Sequence, residues 1–356
     1  MMTKTERNFI PANTNFDLQQ SGVVCAESPS NIALVKYWGK MGDQIPKNPS
    51  ISYTLQACKT QTELSFSPKK SENAQIQVFL DEVEQPNFAP KIEKFIQRIA
   101  DYCPWTTAFD FVVKTHNTFP HSSGIASSAS GMSALAKCFI QIEQKLNPSL
   151  EIPQEKISFL ARLGSGSACR SVYPGLVLWG ESEFYSESSD LYAVPLNENE
   201  IHPIFRTFKD CILLIHEGQK SVSSTVGHGL MNNHPYGETR FSEAKKNIGK
   251  LKAILQSGDV EQFGDLVEHE AMSLHALMMM SSPAYILMQT GTLACLQKIW
   301  NYRKETGKNL FFTLDAGANV HLLYPEKEAE EIEAFIRKEL LPHTASGNAI
   351  FDSLVF

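Results

Sequence analysis

The chain has 356 residues, of which 42% are hydrophobic, and its formal net charge at pH 7 is −7. This length allows two domains with sizeable cores, and the acidic balance argues against a general nucleic-acid binder, which presents a basic face. The sequence contains no run of about eighteen apolar residues, so it predicts no membrane-spanning helix.

The seven cysteines are scattered along the chain and contain no Cys-x-x-Cys pair. This pattern is typical of a reduced cytoplasmic protein rather than of a disulfide or zinc scaffold. Residues 1–20 are mostly polar and lack the apolar core of a secretory signal, so they predict a loosely ordered extension. We therefore expect a cytoplasmic protein.

The first half of the chain mixes predicted strands with predicted helices. Helical periodicity indicates helices over 89–102, 130–146 and 153–163. Short apolar or alternating runs predict strands over 23–27, 32–37, 50–55, 62–67, 76–80, 109–114 and 175–179.

The second half is more helical and follows a polar, acidic stretch around 185–205. Because strands and helices do not alternate strictly, the pattern favours the α+β class. We predict an extension at 1–20 and domains at 21–195 and 196–356. Strands are predicted over 211–216, 310–314 and 320–323, and helices over 238–257, 260–279, part of 283–306, and 326–340.

A segment of small residues, 120–131, runs directly into a helical pattern. Small side chains let backbone N–H groups approach a ligand, and a helix N-terminus adds free donors and the positive end of the helix dipole. The segment therefore predicts an anion site, most often for phosphate. A plain helix N-cap explains it equally well, and it matches neither the P-loop nor the Rossmann glycine pattern.

Four other clusters can carry chemistry. Two lysines flank an aromatic pair and a glycine in 31–40, a composition that suits phosphate but is also typical of an edge strand. The small-residue loop 164–171 contains Arg170, which can hold a carboxylate through two hydrogen bonds. Hydroxyl groups dominate 220–228, as they do in many surface loops. Asp315 lies at a predicted strand end, where a catalytic base or a plain turn is equally expected.

Two further features favour structural interpretations. No histidine adjoins Cys169, so we predict a small buried residue rather than a nucleophile. Four methionines on or at the end of a predicted helix are expected to belong to the core. They are Met272, Met278, Met279 and Met280.

Taken in this order, the clusters resemble the diphosphomevalonate decarboxylases of the GHMP kinase superfamily. The runs KYWGK at 36–40, GSGSACRS at 164–171 and DAGANV at 315–320 carry the resemblance, which spans 31–319. It implies a two-domain α+β fold, with an N-terminal unit like domain 2 of ribosomal protein S5 and a ferredoxin-like C-terminal unit. The active site is then expected in the cleft between the domains.

The resemblance also implies a reaction. Family members use ATP to phosphorylate the tertiary 3-hydroxyl of mevalonate 5-diphosphate. Phosphate then leaves, carbon dioxide is lost, and isopentenyl diphosphate forms. The expected ligands are ATP, Mg²⁺ and the phosphorylated mevalonate substrate, with no nucleic-acid or membrane partner. Relatives are often homodimers, so a homodimer is also predicted.

By the same resemblance, three residues carry catalysis. Asp315 matches the catalytic aspartate, Arg170 the arginine that holds the substrate carboxylate, and Lys36 the lysine near the transferred phosphoryl group. The sequence shows no carboxylate cage for Mg²⁺, so its ligands stay unidentified. The remaining matches are the substrate positions Tyr37, Lys40, Ser165, Gly166, Ser167 and Ser224, and the ATP-phosphate positions Ser122, Gly124, Ser127 and Ser128.

Some positions depart from the family pattern. Pro49 stands where many relatives have Ser, and Ala318 stands where Pro is usual. Segment 225–229 lacks the Arg often found there, which leaves His228 or Lys220 as candidates to replace it. Two alternatives therefore stay open. One is a related enzyme acting on mevalonate or its 5-phosphate, as a 3-kinase or a decarboxylase. The other is a catalytically silent nucleotide-binding protein.

Overall fold

The computed structural model describes residues 6–72, 75–120, 125–218 and 222–353. Strands β1–β9 span Gly22–Val35, Lys40–Met41, Ile45–Pro46, Ser50–Pro68, Ile76–Leu80, Val83–Glu84, Phe109–Asn117, Leu176–Trp179 and Ala193–Pro195. Helices α1–α3 span Ala89–Ile99, Ser127–Leu146 and Gln154–Gly164. Most of these strands form one sheet of order β6–β5–β7–β4–β8–β9, with β1 paired to β4. Strands β2 and β3 form a separate ribbon.

The C-terminal part has its own sheet. Strands β10–β13 span Phe208–Leu213, Phe311–Thr313, Val320–Pro325 and Ala349–Ser353. Helices α4–α8 span Ser224–Leu230, Gly237–Ser257, Val260–Met279, Thr290–Thr306 and Ala329–Phe335. The strand order is β11–β12–β10–β13, and every pair is antiparallel. Two sheets with helices packed on them confirm the predicted α+β class.

The hydrophobic cores explain how the two sheets meet. One core lies between the first sheet and α1–α3, and includes Trp105, Phe111 and Phe139. A second joins the two sheets, because Leu34 and Tyr53 of the first sheet share it with side chains of β10, α5 and α6. The sheets therefore pack across a common apolar interface rather than as separate bodies.

Strand β1 is longer than predicted. The sequence suggested two strands separated by the polar run 28–31, but the structure has one strand with a register shift between Pro29 and Asn31. The polar side chains are buried and bonded: Ser28 Oγ lies 2.7 Å from Ser133 Oγ, and Ser30 Oγ donates to the Ile125 carbonyl at 2.7 Å. Buried hydrogen-bond partners thus allow polar residues inside a strand.

The N-terminal extension is also more ordered than expected over residues 6–20. Phe9 is 3% exposed, and its ring stacks on Phe159 with centroids 4.5 Å apart. Glu6 accepts a hydrogen bond from Arg162. One apolar anchor and one ion pair therefore fasten this segment to α3, so the prediction of a loose extension is wrong for these residues.

Helix ends follow local chemistry. The prediction of a helix over 260–279 is confirmed by α6, whose N-cap Asp259 accepts from the Gln262 N–H. Helix α5 ends at Ser257 and is followed by Gly258, where φ is +79°, a conformation that favours glycine. The predicted helix over 326–340 is instead a 3₁₀ turn, α8 and a π-helical turn.

Of the four methionines assigned to the core, only one is fully buried. Met278 has no exposed surface, whereas Met279 and Met280 are 46% and 50% exposed. Both exposed residues stand at the C-terminal end of α6, where the helix leaves the packed interface. The core prediction is therefore wrong for these two. Within the described residues, no helix is long and apolar enough to cross a membrane.

We keep residue 195 as the proposed domain boundary. Strand β9 ends at Pro195 and pairs with β8 of the first sheet, whereas β10 begins at Phe208 and belongs to the second. The boundary therefore falls in the connection between the two sheets.

Candidate active site

A buried ion pair joins the two halves of the molecule. Lys36 directly follows β1, and Asp315 lies in the loop between β11 and β12. Lys36 Nζ donates to Asp315 Oδ1 at 2.9 Å, and the two side chains are 1% and 27% exposed. Burial lowers the pKa of Lys36, while the negative charge of Asp315 acts against that shift. The carboxylate is therefore partly exposed and lines a cavity, while its cationic partner is enclosed.

Arg170 lies on the 3₁₀ segment Gly166–Val172 and is 3% exposed. Its Nε and Nη2 donate to Asn31 Oδ1 at 3.3 and 3.2 Å, and its Nη1 donates to Ser50 Oγ. Burial lowers the pKa of Arg170, but a guanidinium keeps its charge in proteins. Among the described residues its hydrogen bonds go to neutral oxygens, so the charge remains available to an anionic ligand.

A cavity of about 160 Å³ brings these groups together. Its walls come from both parts of the chain, as the ion pair requires. A larger groove of about 810 Å³ lies over β1, β4 and β7, but it contains none of the predicted site residues. The predicted residues that line the smaller cavity are Lys36, Tyr37, Lys40, Ser128, Ser165, Gly166, Ser167, Arg170, Ser224 and Asp315.

The remaining predicted residues belong to the ATP-phosphate loop. Ser122 and Gly124 lie outside the described residues, whereas Ser127 begins α2. Ala126, just before the helix, has φ of +45° and lines the cavity together with Ser128. The N-terminal end of a 20-residue helix therefore borders the cavity, and such an end favours anions.

Two aromatic rings lie beside His228 at the cavity. Its ring centroid lies 4.4 Å from that of Tyr37 and 4.5 Å from that of Trp38. The Gly39 N–H donates to His228 Nδ1 at 2.9 Å, and burial lowers the pKa of His228 to about 3. His228 is therefore a neutral acceptor and does not supply the positive charge of the missing arginine. Lys220, the other candidate, lies outside the described residues.

Tight packing explains one glycine of the site. A Cβ atom at Gly166 would lie 2.7 Å from the Trp179 ring and 2.9 Å from the Tyr37 hydroxyl oxygen. That hydroxyl is buried without a hydrogen-bond partner among the described residues. Other atoms of Tyr37 line the cavity. Cys169, as predicted, is fully buried, and burial raises the pKa of its thiol to about 12.

Two lysines supply positive charge at the cavity wall. Lys40 donates to Gln44 Oε1 at 3.0 Å, and burial, aided by Arg98 and Lys94, lowers its pKa. Lys91 of α1 also lines the cavity, and sequence reasoning missed it. The only available signal was the spacing of Lys91, Lys94 and Arg98, which places three cations on one helical face.

Three further residues near the site could not be predicted from the sequence. Glu270, Arg240 and His275 contact the segments around Lys36 and Asp315, yet they stand in helices with ordinary amphipathic patterns. No local motif distinguishes them from surface charges.

For metal binding, the part of the chain that the structure describes contains no group of three or more His, Cys, Asp or Glu side chains able to hold an ion.

Two family models match the chain. Residues 28–191 match the diphosphomevalonate decarboxylase-like N-terminal domain, and residues 211–354 match the mevalonate 5-diphosphate decarboxylase C-terminal domain. Together they cover every cavity residue named above and most of both sheets, while β9 lies in the gap between the two matched ranges.

Curated relatives agree with these matches. The diphosphomevalonate decarboxylase of Debaryomyces hansenii is 28% identical over 331 residues, which is 88% of this chain and 82% of the relative. The Saccharomyces cerevisiae enzyme is also 28% identical, covering 87% of this chain and 80% of the relative.

Solved structures share the fold. Mevalonate diphosphate decarboxylase from Staphylococcus aureus has a TM-score of 0.81 at 28% identity, covering 95% of this chain and 97% of its own. The protein MDDEF, solved with MVAPP, AMPPCP and magnesium, has a TM-score of 0.80 at 25% identity, covering 94% and 98%. These likenesses confirm the two-domain fold expected from the superfamily.

Proposed function

The chain belongs to the diphosphomevalonate decarboxylase family, and we propose that it converts mevalonate 5-diphosphate and ATP to isopentenyl diphosphate, ADP, phosphate and carbon dioxide. The observation that carries this proposal is the convergence of Lys36, Asp315 and Arg170 on one cavity beside the start of α2. The reaction needs three groups, namely a base, a cation for phosphoryl transfer and a group that binds the substrate carboxylate.

ATP phosphates are assigned to the N-terminal end of α2, with Ser122, Gly124, Ser127 and Ser128. This assignment is supported by the cavity position of Ser128 and by the positive end of the helix dipole. Because the described residues offer no carboxylate cage, the fitting ligands for Mg²⁺ are phosphate oxygens, water and the hydroxyls of this loop. The bound ion would neutralise phosphate charge.

In the first step, the 3-hydroxyl oxygen attacks the γ-phosphorus of ATP. The bond from that phosphorus to the ADP oxygen breaks, and Asp315 accepts the hydroxyl proton. Lys36 offsets negative charge on the transferred phosphoryl group. Its burial strengthens this interaction, since electrostatic forces weaken in water.

In the second step, the bond between C3 and the phosphate oxygen breaks, and phosphate departs with the electron pair. The bond to the carboxylate carbon then breaks, and its electrons form the double bond as carbon dioxide leaves. Arg170 holds the carboxylate in place until this point. Asn31 and Ser50 fix the guanidinium, so the grip is preorganised.

Tyr37, Lys40, Ser165, Gly166 and Ser167 are assigned to the substrate diphosphate or the C3 site, and Ser224 is a further substrate-binding residue. We add Lys91 to this group, since it lines the same cavity. Two lysines and several hydroxyls match a doubly phosphorylated group better than an unphosphorylated alcohol. This supports mevalonate 5-diphosphate over mevalonate as the substrate.

The experiment that tests the mechanism replaces Asp315. Asp315→Asn keeps the size of the side chain but removes the base, so we expect kcat to fall by about a hundredfold or more. ADP and carbon dioxide production should fall together, while the Kd for AMPPCP stays near its original value. Asp265→Asn, a change in α6 away from the cavity, serves as the control. Near-normal turnover in Asp315→Asn would remove Asp315 from its assigned role.

We also propose a cytoplasmic location and a homodimeric assembly. All seven cysteines are free, and six are buried, which suits a reducing cytoplasm. A homodimer is proposed from the family resemblance. Size-exclusion chromatography with light scattering distinguishes it from a monomer.

A further inference from the structure

The backbone of Lys36 is held on both sides by side chains from elsewhere in the fold. Its N–H donates to Glu270 Oε2 of α6 at 2.8 Å. Its carbonyl accepts from Asn48 Nδ2 at 2.9 Å and from Arg240 Nη2 of α5 at 3.3 Å. All four residues are buried. Because Lys36 lies just beyond the end of β1, these bonds replace the strand pairing that it lacks.

Glu270 has a complete set of partners. Arg240 donates through Nη1 to its Oε1 at 2.9 Å and through Nη2 to its Oε2. Asn247 Nδ2 donates to Oε1 at 2.6 Å. Glu270 has no exposed surface and Arg240 is 3% exposed. A buried carboxylate is costly unless it is paired, so this two-pronged ion pair offsets the cost of burying Glu270 and fixes its side chain.

The same helix reaches the partner of Lys36. His275 of α6 is 2% exposed, and its Nε2 lies 3.1 Å from the Asp315 carbonyl oxygen. Since a carbonyl only accepts, Nε2 carries the proton of this bond. Glu270 and His275 are separated by about 7.5 Å along the helix axis, so one rigid element contacts the backbones of both members of the ion pair.

We propose that α6 positions the two reacting groups, Glu270 acting on Lys36 with the support of Arg240, and His275 acting on Asp315. They are positioning residues, because each acts through the backbone of another residue. The inference rests on the proposed function only in taking Lys36 and Asp315 as the reacting pair. It accounts for three buried polar side chains that the mechanism itself does not use.

The first test is Glu270→Gln. Glutamine keeps the size and an acceptor oxygen, but it removes the charge and presents an N–H₂ group to Arg240. We expect kcat to fall by about tenfold to a hundredfold, since small displacements of reacting groups have costs of this size. The KM for mevalonate 5-diphosphate and the Kd for AMPPCP should change by less than about threefold.

The pH profile provides a readout that a purely structural role would not move. The negative charge of Glu270 raises the pKa of Lys36, so its removal should shift the alkaline limb of kcat to lower pH. The charged groups that face Lys36 are Asp315, Glu270, Arg170, Arg240 and, further away on β10, Asp210.

A matched control exists in the first domain. Glu143 of α2 is equally buried and accepts from Lys156 Nζ of α3 at 2.6 Å, far from the cavity lining. Glu143→Gln removes a buried ion pair of the same kind. It should lower the thermal midpoint, as Glu270→Gln does, but leave kcat per folded molecule and the alkaline limb unchanged.

His275 supplies a second pair of variants, which keeps the proposal testable if Glu270→Gln does not fold. His275→Gln can still donate an N–H to the Asp315 carbonyl, whereas His275→Leu cannot. We expect His275→Gln to retain most of the wild-type kcat and His275→Leu to lose about tenfold or more. Equal activity in the two variants would overturn the role of His275.

The possible outcomes distinguish a failure of the proposed function from a failure of the positioning role. If the wild-type protein releases no carbon dioxide, the proposed function is wrong. If the wild type turns over while Glu270→Gln keeps its kcat and its alkaline limb, only the positioning role of Glu270 is wrong. A lower kcat with a shifted limb in Glu270→Gln, and neither in Glu143→Gln, supports the proposal.

Discussion

At the scale of single residues, the guanidinium of Arg170 makes the clearest prediction. All three of its nitrogens donate to Asn31 or Ser50, and the N–H groups that remain on Nη1 and Nη2 can hold a carboxylate. Arg170→Lys keeps the charge but loses this geometry. We expect kcat/KM for mevalonate 5-diphosphate to fall by about a hundredfold. Steady-state kinetics measures this.

The control for that change is Arg206→Lys. Arg206 donates to the Ile201 carbonyl, away from the cavity, so its replacement should leave kcat/KM unchanged. Equal kinetics for wild type and Arg170→Lys would show that a simple point charge is sufficient at this position.

His228 makes a prediction about stability rather than rate. Its pKa in the folded protein is about 3, against 6.5 for an ordinary histidine. Between these values the unfolded chain binds a proton that the folded chain does not, so the free energy of unfolding falls as the pH drops below 6.5. At pH 5 this amounts to about 2 kcal/mol.

The test is His228→Asn, in which the amide oxygen can still accept from the Gly39 N–H. The difference in unfolding free energy between pH 7 and pH 5, measured with urea, should be smaller in the variant by about 2 kcal/mol. An unchanged difference in His228→Asn would mean that His228 titrates normally.

At the scale of elements, the N-terminal segment makes the sharpest prediction. Phe9 is buried against Phe159 and Tyr192, so Phe9→Ala should lower the free energy of unfolding by about 3 kcal/mol. Turnover per folded molecule should stay unchanged, since Phe9 is remote from the cavity lining. The neighbouring Ile10 is 47% exposed, and Ile10→Ala should change stability by less than about 0.5 kcal/mol. Urea denaturation of both variants measures these changes in the free energy of unfolding.

Sequence patterns identified most elements, and the misses have physical causes. Helix α6 was predicted to the residue because its N-cap aspartate and apolar stripe agree. The run Ser28-Pro29-Ser30-Asn31 predicted a break in β1, because short polar residues favour turns. In the structure, Ser133, Ile125 and Ser171 supply hydrogen-bond partners to this run. Such partners come from distant parts of the chain, so a local pattern cannot reveal them.

The site residues also divide into those that local sequence patterns predicted and those that they could not predict. Motifs with unusual composition, such as 36–40, 164–171 and 315–320, were visible in the sequence, and their residues line one cavity. Glu270 and His275 were not, because one acidic residue and one histidine in a long helix are ordinary. Their placement depends on how α6 packs against both sheets, which is a tertiary property.

At the scale of the whole molecule, the site exists only because two sheets meet. Lys36 and Arg170 come from the first unit, Asp315 from the second. Strand β13 fastens the units at another point, where Asp352 accepts from the backbone N–H groups of residues 56–58. Joining at two places holds the cavity walls at a fixed separation, as preorganised catalysis requires.

In the complete two-domain protein, we expect ATP consumption to be coupled to loss of the substrate carboxylate. The most direct test measures ADP and trapped carbon dioxide together, with mevalonate, mevalonate 5-phosphate and mevalonate 5-diphosphate as substrates. We expect equal amounts of ADP and carbon dioxide, with the highest kcat/KM for mevalonate 5-diphosphate. ADP formed without carbon dioxide would contradict this expectation and identify a kinase instead.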